Sequence, residues 1–277
     1  MKKVVTVQDI SCVGRCSLTV ALPIISAMGV ETAVIPTAVL STHTKFKNFT
    51  FCDLTDQIEP ISEHWRSMGL TFDGIYTGYL GSFEQLRLMT RFADEFRGDG
   101  ILFVDPVMGD SGRLYSGFNS DFVRGMAQFC GKADIIVPNI TEASFMLNAP
   151  YVGEGYSEDY VKELLRGLNG LGAKKAVLTG ISFRPEEIGV MAYDSESSEF
   201  YSYFGQRIGG YYHGTGDVFA SACIGALMND LPLNDALHVA VDYTCECIRL
   251  TSDDPRDKAF GVNFEKAIPI LIHSIGK

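Results

Sequence analysis

Basic residues are scarce in this sequence of 277 residues, where 23 lysines and arginines stand against 34 aspartates and glutamates. The formal net charge is therefore −11. Such a surface repels the phosphates of nucleic acids and anionic lipid headgroups, so we expect neither nucleic acid nor a membrane as the main partner. A small anionic ligand is not excluded, because the N–H groups at a helix N-terminus bind phosphate even in an acidic protein.

Paired cysteines are also lacking. The seven cysteines show no C-x-x-C spacing, which argues against a disulfide framework and against a structural zinc site. We interpret Cys12 and Cys16, and likewise Cys245 and Cys247, as small buried apolar residues of a reduced protein.

The sequence has no long hydrophobic run. Its longest apolar stretch, residues 18–30, contains Pro23 and Gly29 and is too short to cross a bilayer. The apolar run near the N-terminus stops at Gln8, too early for the core of a secretory signal. We therefore expect a cytoplasmic protein.

Familiar nucleotide and hydrolase signatures are missing as well. The segment GMAQFCGKA has neither the spacing nor the hydroxyl residue of a P-loop, and no G-x-G-x-x-G follows the first predicted strand. The HRD and DFG triplets of protein kinases and the G-x-S-x-G elbow of hydrolases do not occur. A phosphotransferase with this sequence would need a different phosphate-binding device.

Short β-rich segments alternate with amphipathic ones, a pattern typical of β-α units around a mainly parallel sheet. We predict one α/β domain over residues 1–277, with an antiparallel hairpin over 187–204 that turns at the polar segment DSESS. The predicted strands cover residues 3–7, 32–39, 101–107, 134–139 and 174–180, and the segment 72–82 holds a further strand followed by a glycine-containing turn. The predicted helices cover residues 16–28, 54–68, 84–96, 118–130, 141–148, 157–170, 216–229, 234–250 and 263–274.

Polar or glycine-rich turns follow several of the predicted strands. In an open α/β sheet the carboxyl ends of the strands face the ligand crevice. If the strands are parallel, one edge of the sheet collects the side chains of Asp9, Tyr79, Asp105, Asn139, Glu142 and Thr179.

The segment Gly214-Thr215-Gly216-Asp217 places a carboxylate where an apolar, small-residue helix begins. The two glycines allow the backbone to approach a ligand closely, and the free N–H groups of the helix start favour an anion. These features together suit a phosphoryl group, with Asp217 able to accept a proton from an attacking hydroxyl. Aspartate is also a common helix N-cap, and four residues alone favour that simpler interpretation.

A second acidic cluster follows two other predicted strands. Asp105 in FVDPVMGD and Glu142 in IVPNITEA offer the hard carboxylate oxygens that Mg²⁺ prefers, usually together with water and substrate phosphates. Asp110 is a further candidate contact, or an ordinary turn residue. Glu142 also fits the acidic start of a helix, so each residue alone has a structural interpretation.

The motifs in this order resemble the ribokinase-like kinases of small hydroxymethyl substrates. The resemblance rests on GTGD before an apolar helix, with DPVMGD and PNITE upstream. Within that group, VQDISCVG, STHT and TGYLGS are similar to pyridoxal kinases. The match runs nearly end to end. It implies a three-layer ribokinase-like fold, with a central, mainly parallel sheet flanked by helices.

The resemblance also implies a role for each matching position. Asp217 would be the general base, and the N–H groups of Gly214, Thr215, Gly216 and Asp217 would form the anion hole. The ATP phosphates and Mg²⁺ would lie among Asp105, Asn139 and Glu142, with Asp105 and Glu142 as the metal ligands and Thr179 beside the nucleotide. The vitamin pocket would be lined by Asp9, Thr44 and Tyr79. A homodimer and a monovalent cation, K⁺ or Na⁺, are usual in the family.

Three positions depart from the family pattern. Asp9 stands where pyridoxal kinases commonly have serine, and it is reminiscent of hydroxymethylpyrimidine kinases. Lys45 follows STHT where a neutral residue is frequent, and we interpret it as a solvated lysine. Thr179 stands where related enzymes often have lysine near the phosphates. We interpret His43 as structural.

Three hypotheses follow. The resemblance favours ATP-dependent phosphorylation of the 5′-hydroxymethyl group of pyridoxal, pyridoxamine or pyridoxine. A hydroxymethylpyrimidine kinase on the same fold is the nearest alternative, supported by Asp9. A non-catalytic nucleotide or vitamin sensor is the third, and it would bind ligands without forming ADP.

Overall fold

The computed structural model describes residues 1–254 and 258–277. Its strands are β1 (Lys3–Ser11), β2 (Glu31–Leu40), β3 (Phe51–Asp53), β4 (Gly74–Thr77), β5 (Ile101–Val104), β6 (Gly109–Asp110), β7 (Arg113–Leu114), β8 (Ile135–Ile136), β9 (Lys175–Ile181), β10 (Glu187–Asp194) and β11 (Glu199–Gln206). Its α-helices are α1 (Leu18–Ala27), α2 (Thr55–Ser67), α3 (Phe83–Phe96), α4 (Ser120–Cys130), α5 (Ile140–Leu147), α6 (Glu158–Gly170), α7 (Thr215–Met228), α8 (Leu233–Ser252) and α9 (Phe264–Ser274).

The main sheet has the strand order β11-β10-β9-β8-β5-β4-β1-β2-β3. Its central strands pair in parallel, from β2 through β1, β4, β5 and β8 to β9. At the edges, β3 pairs antiparallel with β2, and the hairpin β10–β11 continues antiparallel from β9. The predicted α/β fold with a mainly parallel sheet and an antiparallel hairpin is confirmed. One domain over residues 1–277 stays a prediction.

Helices cover both faces of this sheet because its strands are apolar on both sides. In β1, Val5 belongs to a core shared with α2 to α6, while Val4 belongs to a second core shared with α1, α7, α8 and α9. Strands buried on both faces are typical of parallel sheets. The result is three layers, as the resemblance implied.

The chain changes direction across the sheet at β1. From β1 it passes to β2 on one side, and β4, β5, β8 and β9 are added on the other. Such a switch point opens a crevice at the carboxyl ends of the flanking strands, which is where open α/β sheets bind ligands. The ends of β1 and β4 are joined by the Gly78 N–H, which donates to the Val7 carbonyl at 3.1 Å.

Two details of the sequence prediction were wrong. Cys12 is exposed rather than buried, because it follows β1 in the loop, and Cys245 is only partly buried. Cys16 and Cys247 are buried as predicted, and all seven cysteines are free. The short strand β3, and the hairpin formed by the two-residue strands β6 and β7, were not predicted. Within the described residues, no helix is both long enough and apolar enough to span a membrane.

Candidate active site

The turn before α7 requires glycine at its first position. Gly214 is the N-cap, with φ 76° in the left-handed region. A Cβ built on Gly214 would lie 2.1 Å from the carbonyl oxygen of Arg15, so the turn packs directly against the loop after β1. Only glycine combines this conformation with this close approach.

The start of α7 has no side-chain cap among the described residues. The first turn is closed by the Val218 N–H, which donates to the Gly214 carbonyl at 3.1 Å. The N–H groups of Thr215, Gly216 and Asp217 precede that bond, so they have no partner within the helix. Together with the positive end of the helix dipole they form a site for an anion.

The carboxylate of Asp217 lies in this first turn and is partly buried. Burial raises its pKa to about 7; a hydrogen bond from the backbone of Ser17 opposes the rise, and the charge of Asp9 adds to it. A base with a pKa near neutrality is well matched to taking a proton from an alcohol.

The raised pKa of Asp217 predicts a measurable effect on stability without ligands. The folded protein holds this proton up to about pH 7, while the unfolded chain releases it near its ordinary value of about 4. The Asp217 carboxyl therefore lowers the free energy of unfolding by an amount that grows as the pH rises from 4 to 7 and stays constant above pH 7. Asp217→Asn should remove the penalty and raise the free energy of unfolding at pH 8 by about 1–3 kcal/mol, after a discount for partial exposure.

Denaturant unfolding of both proteins from pH 4 to pH 8 measures this difference. The gain of the variant should be close to zero at pH 4 and should grow as the pH rises. Asp235→Asn is the matched control, because Asp235 is also the third residue of a helix, α8, but is exposed. A gain that does not change with pH, or an equal gain in the control, would contradict the burial of a charge at 217.

Three further carboxylates lie buried at the same edge of the sheet, on Asp9, Asp105 and Glu142. Burial is the main cause that raises the pKa of each, and the charges of Glu142 and Asp217 raise that of Asp105 further. None of the four forms a salt bridge with a lysine or arginine in the described part of the chain. Buried carboxylates usually have a cation as partner, so this arrangement suits positively charged ligands.

Glu142 and Asn139 form a capping box at the start of α5. The Asn139 N–H donates to Glu142 Oε2 at 2.9 Å, and the Glu142 N–H donates to Asn139 Oδ1 at 2.9 Å. Glu142 Oε1 also accepts from the Met108 N–H at 3.1 Å, and Asn139 Nδ2 donates to the Gly109 carbonyl at 2.9 Å. The two side chains therefore fasten the turn after β5 to the turn after β8.

Asp105 and Glu142 have the chemistry of a magnesium site. Both residues offer hard oxygen donors, and the charge of Glu142 raises the pKa of Asp105. Neither forms a salt bridge within residues 1–254 and 258–277. No group of three or more potential ligand side chains occurs in the described residues. An ion held by two carboxylates would complete its shell with water and substrate phosphates, which is the usual arrangement for Mg²⁺.

The remaining predicted residues lie around these carboxylates. Thr179 is next to Asn139 through a parallel bridge, and its Oγ1 donates to the Pro138 carbonyl at 3.3 Å. Tyr79 is partly exposed after β4, with its ring centroid 5.7 Å from that of Phe118. Thr44 is exposed in the loop after β2. Among the predicted residues, charge effects link Glu142 and Asp217 to Asp105, and Asp9 to Asp217.

Sequence reasoning missed an aromatic and basic cluster beside the site. His43 is buried and its ring stacks on His213, with centroids 4.1 Å apart. The Lys45 ammonium lies 4.6 Å from the centroid of the Tyr211 ring, and the Tyr211 hydroxyl donates to Asp110 Oδ2 at 3.0 Å. The aromatic residues that precede GTGD could have indicated this cluster. Their partners His43 and Lys45 lie in the loop after β2, far away in the sequence.

Comparisons with known proteins show the family and the fold of this chain. A family model described as phosphomethylpyrimidine kinase matches residues 22–263. The chain belongs to the phosphomethylpyrimidine kinase family. Pyridoxal kinase from Lactobacillus plantarum has the same fold, with a TM-score of 0.91 and 32% identity over 99% of this chain and 97% of that chain.

Two other similar proteins are linked to pyridoxal by their descriptions. A Bacteroides thetaiotaomicron structure described as a phosphomethylpyrimidine kinase, in a crystal form with pyridoxal, has a TM-score of 0.92 and 38% identity over 98% of this chain and 95% of that chain. Pyridoxal kinase from Dictyostelium discoideum is 25% identical over 80% of this chain and 77% of its own length. The prediction of a pyridoxal kinase with a ribokinase-like fold is confirmed.

Proposed function

We propose that this kinase transfers the γ-phosphoryl group of ATP to the 5′-hydroxymethyl group of pyridoxal, pyridoxamine or pyridoxine. The observation that carries the proposal is the Asp217 carboxylate, with its pKa raised to about 7, in the first turn of the uncapped helix α7. The relatives named pyridoxal kinase, and the pyridoxal in the Bacteroides crystal, support the choice of substrate.

In the proposed reaction, Asp217 accepts the proton of the substrate hydroxyl as its oxygen attacks the γ-phosphorus. A new oxygen–phosphorus bond forms, and the bond between the γ-phosphorus and the β–γ bridging oxygen breaks to release ADP. The N–H groups from Gly214 to Asp217 would stabilise the charge that spreads over the transferred group. Most of the protein's contribution is positioning and electrostatic stabilisation.

Asp105 and Glu142 would hold Mg²⁺, which neutralises phosphate charge when it is bound. Glu142 and Asn139 hold the turn after β5 against the turn after β8 through their bonds with Met108 and Gly109. The phosphates would lie beside these turns, and Thr179 would lie near the nucleotide. Tyr79 and Thr44 would line the vitamin pocket. A monovalent cation and a homodimer stay predictions from the family resemblance.

A coupled assay of ADP release tests the proposal, with pyridoxal, pyridoxamine, pyridoxine and hydroxymethyl aminopyrimidine compared at equal concentrations. We expect the largest kcat/KM with one of the three vitamers. A larger kcat/KM with the pyrimidine alcohol would favour a hydroxymethylpyrimidine kinase, the alternative closer to the description of the family model, phosphomethylpyrimidine kinase. Tight binding of vitamer and ATP without ADP release would instead indicate a sensor.

A further inference from the structure

Ser17 has a backbone conformation that residues with a side chain rarely adopt. Its φ is 51° and its ψ is −134°, whereas the left-handed region open to such residues needs a ψ of about +30 to +60°. In the part of the chain that the structure describes, the other non-glycine residues with positive φ are all exposed, namely Asn48, Ser111, Asn148, Ser198 and Asp230. Ser17 is only 8% exposed. A buried residue keeps a strained backbone only where its surroundings hold it there.

The loop that leads to Ser17 is packed tightly against the catalytic turn. The Arg15 carbonyl oxygen would lie 2.1 Å from a Cβ built on Gly214 and 2.6 Å from one built on Gly261. The Cα atom of Cys16 lies 3.6 Å from the same Cβ position of Gly214. Because both neighbours of this loop allow no further approach, Ser17 has a fixed position beside the first turn of α7.

The carbonyl group of Ser17 belongs to α1. It accepts from the Val20 N–H at 3.0 Å and from the Ala21 N–H at 2.9 Å. Serine often caps a helix with its hydroxyl, but Ser17 makes no such bond within the described residues. Since α1 fixes the carbonyl, the unusual φ decides where the N–H group points. It points to the carboxylate of Asp217, to which it donates.

A general base of the carboxylate type needs a fixed orientation. Only one of its two oxygens takes the proton, and the torsion that turns the carboxylate group has broad minima. A donor that holds one oxygen restricts this rotation and directs the other oxygen. Hydrogen bonds to charged groups are among the stronger ones in proteins, so a single N–H can have this effect.

We propose that Ser17 is a positioning residue, whose strained backbone aims its N–H at one carboxylate oxygen of Asp217 and leaves the other oxygen free for the substrate hydroxyl. The inference rests on the proposed function, because it concerns the orientation of Asp217 as the base. The starts of two helices then share the work at the site. The first turn of α7 offers N–H groups to the phosphoryl group, and the N-cap of α1 offers one N–H to the base.

Replacement of Ser17 by lactic acid tests this assignment, because an ester oxygen then takes the place of the N–H. In vitro translation with an amber codon at position 17 supplies the full chain. Ser17→Ala is the matched control, since it has the same side chain as lactic acid and keeps the N–H. Relative to this control, the ester should lower kcat with pyridoxal by about 10- to 100-fold. The KM for ATP should change by less than about 3-fold.

The same comparison in an Asp217→Asn background shows whether Ser17 acts through Asp217. Asparagine does not take the proton, so the ester should lower the residual kcat by less than about 3-fold there. An equal loss with and without the Asp217 carboxylate would overturn the proposal, because Ser17 would then support the turn of α7 as a whole. An ester protein with the kcat of Ser17→Ala would overturn it too.

A crystal structure of the unaltered kinase decides if the ester protein does not fold. The Ser17 nitrogen should lie within about 3.2 Å of a carboxylate oxygen of Asp217, and a distance beyond about 3.5 Å would overturn the proposal. Absence of ADP release with every vitamer in the unaltered kinase would refute the proposed function itself, which distinguishes the two failures.

Discussion

Asp217→Asn should lower kcat with pyridoxal by about 10²- to 10⁴-fold, the usual contribution of a general base. Asparagine keeps the size of the side chain but cannot accept the proton of the hydroxymethyl group. The fold should persist, since the variant also loses the cost of a buried charge. ADP release at saturating ATP and pyridoxal measures kcat, and ATP binding by calorimetry shows that the nucleotide site is intact.

Asp235→Asn is the control for the simpler interpretation of Asp217 as an ordinary helix-start carboxylate. Both residues stand third in their helices, and neither helix has a side-chain cap within the described residues. If Asp217 served only to complement the helix dipole, the two variants would lose similar, small amounts of stability and no activity. Near-normal kcat in Asp217→Asn would remove Asp217 from the role of base.

Gly214→Ala should produce the second large effect. Alanine at φ 76° is strained, and its Cβ would lie 2.1 Å from the Arg15 carbonyl oxygen. The backbone has to shift, so the anion-binding N–H groups move with it. We expect a loss of about 2 kcal/mol or more in the free energy of unfolding. A displacement of about 1 Å can cost ~10²-fold in rate, so kcat should fall by about that factor.

Gly216→Ala is the matched control two residues along the same turn. A Cβ at Gly216 meets no atom within 4 Å, and its φ lies outside the left-handed region. Thermal and denaturant unfolding should place this variant within about 0.5 kcal/mol of the unaltered kinase, or slightly above it. Equal stability and equal kcat in the two alanine variants would mean that the conformation of Gly214 does not set the geometry of the turn.

Long, periodic segments of the fold were predictable from the sequence, and short ones were not. The predicted helices at 84–96 and 157–170 closely match α3 and α6 because their apolar residues recur at helical spacing. The strand predicted at 134–139 is reduced to Ile135–Ile136, and the pairs of residues that form β6 and β7 carry no periodic signal. Such short strands form because neighbouring strands supply their hydrogen-bond partners, as β5 and β9 do for β8.

Candidate carboxylates could be predicted, but their partners could not. Asp105 and Glu142 each follow a predicted strand, so their shared edge of the sheet followed from the order of the strands, whereas Asp217 was singled out by the GTGD pattern at the start of a helix. The bond from the Met108 N–H to Glu142 and the bond from His43 to the Ala259 carbonyl join segments that are far apart in the sequence. Those groups meet their partners only in the folded chain.

A crystal structure with a non-hydrolysable ATP analogue and pyridoxal tests the central claim most directly. We expect the terminal phosphate to accept from the N–H groups between Gly214 and Asp217. The substrate hydroxyl oxygen should lie at about 2.6–3.2 Å from a carboxylate oxygen of Asp217. A terminal phosphate bound away from this turn, or a hydroxymethyl group that points away from Asp217, would contradict the proposed catalytic mechanism.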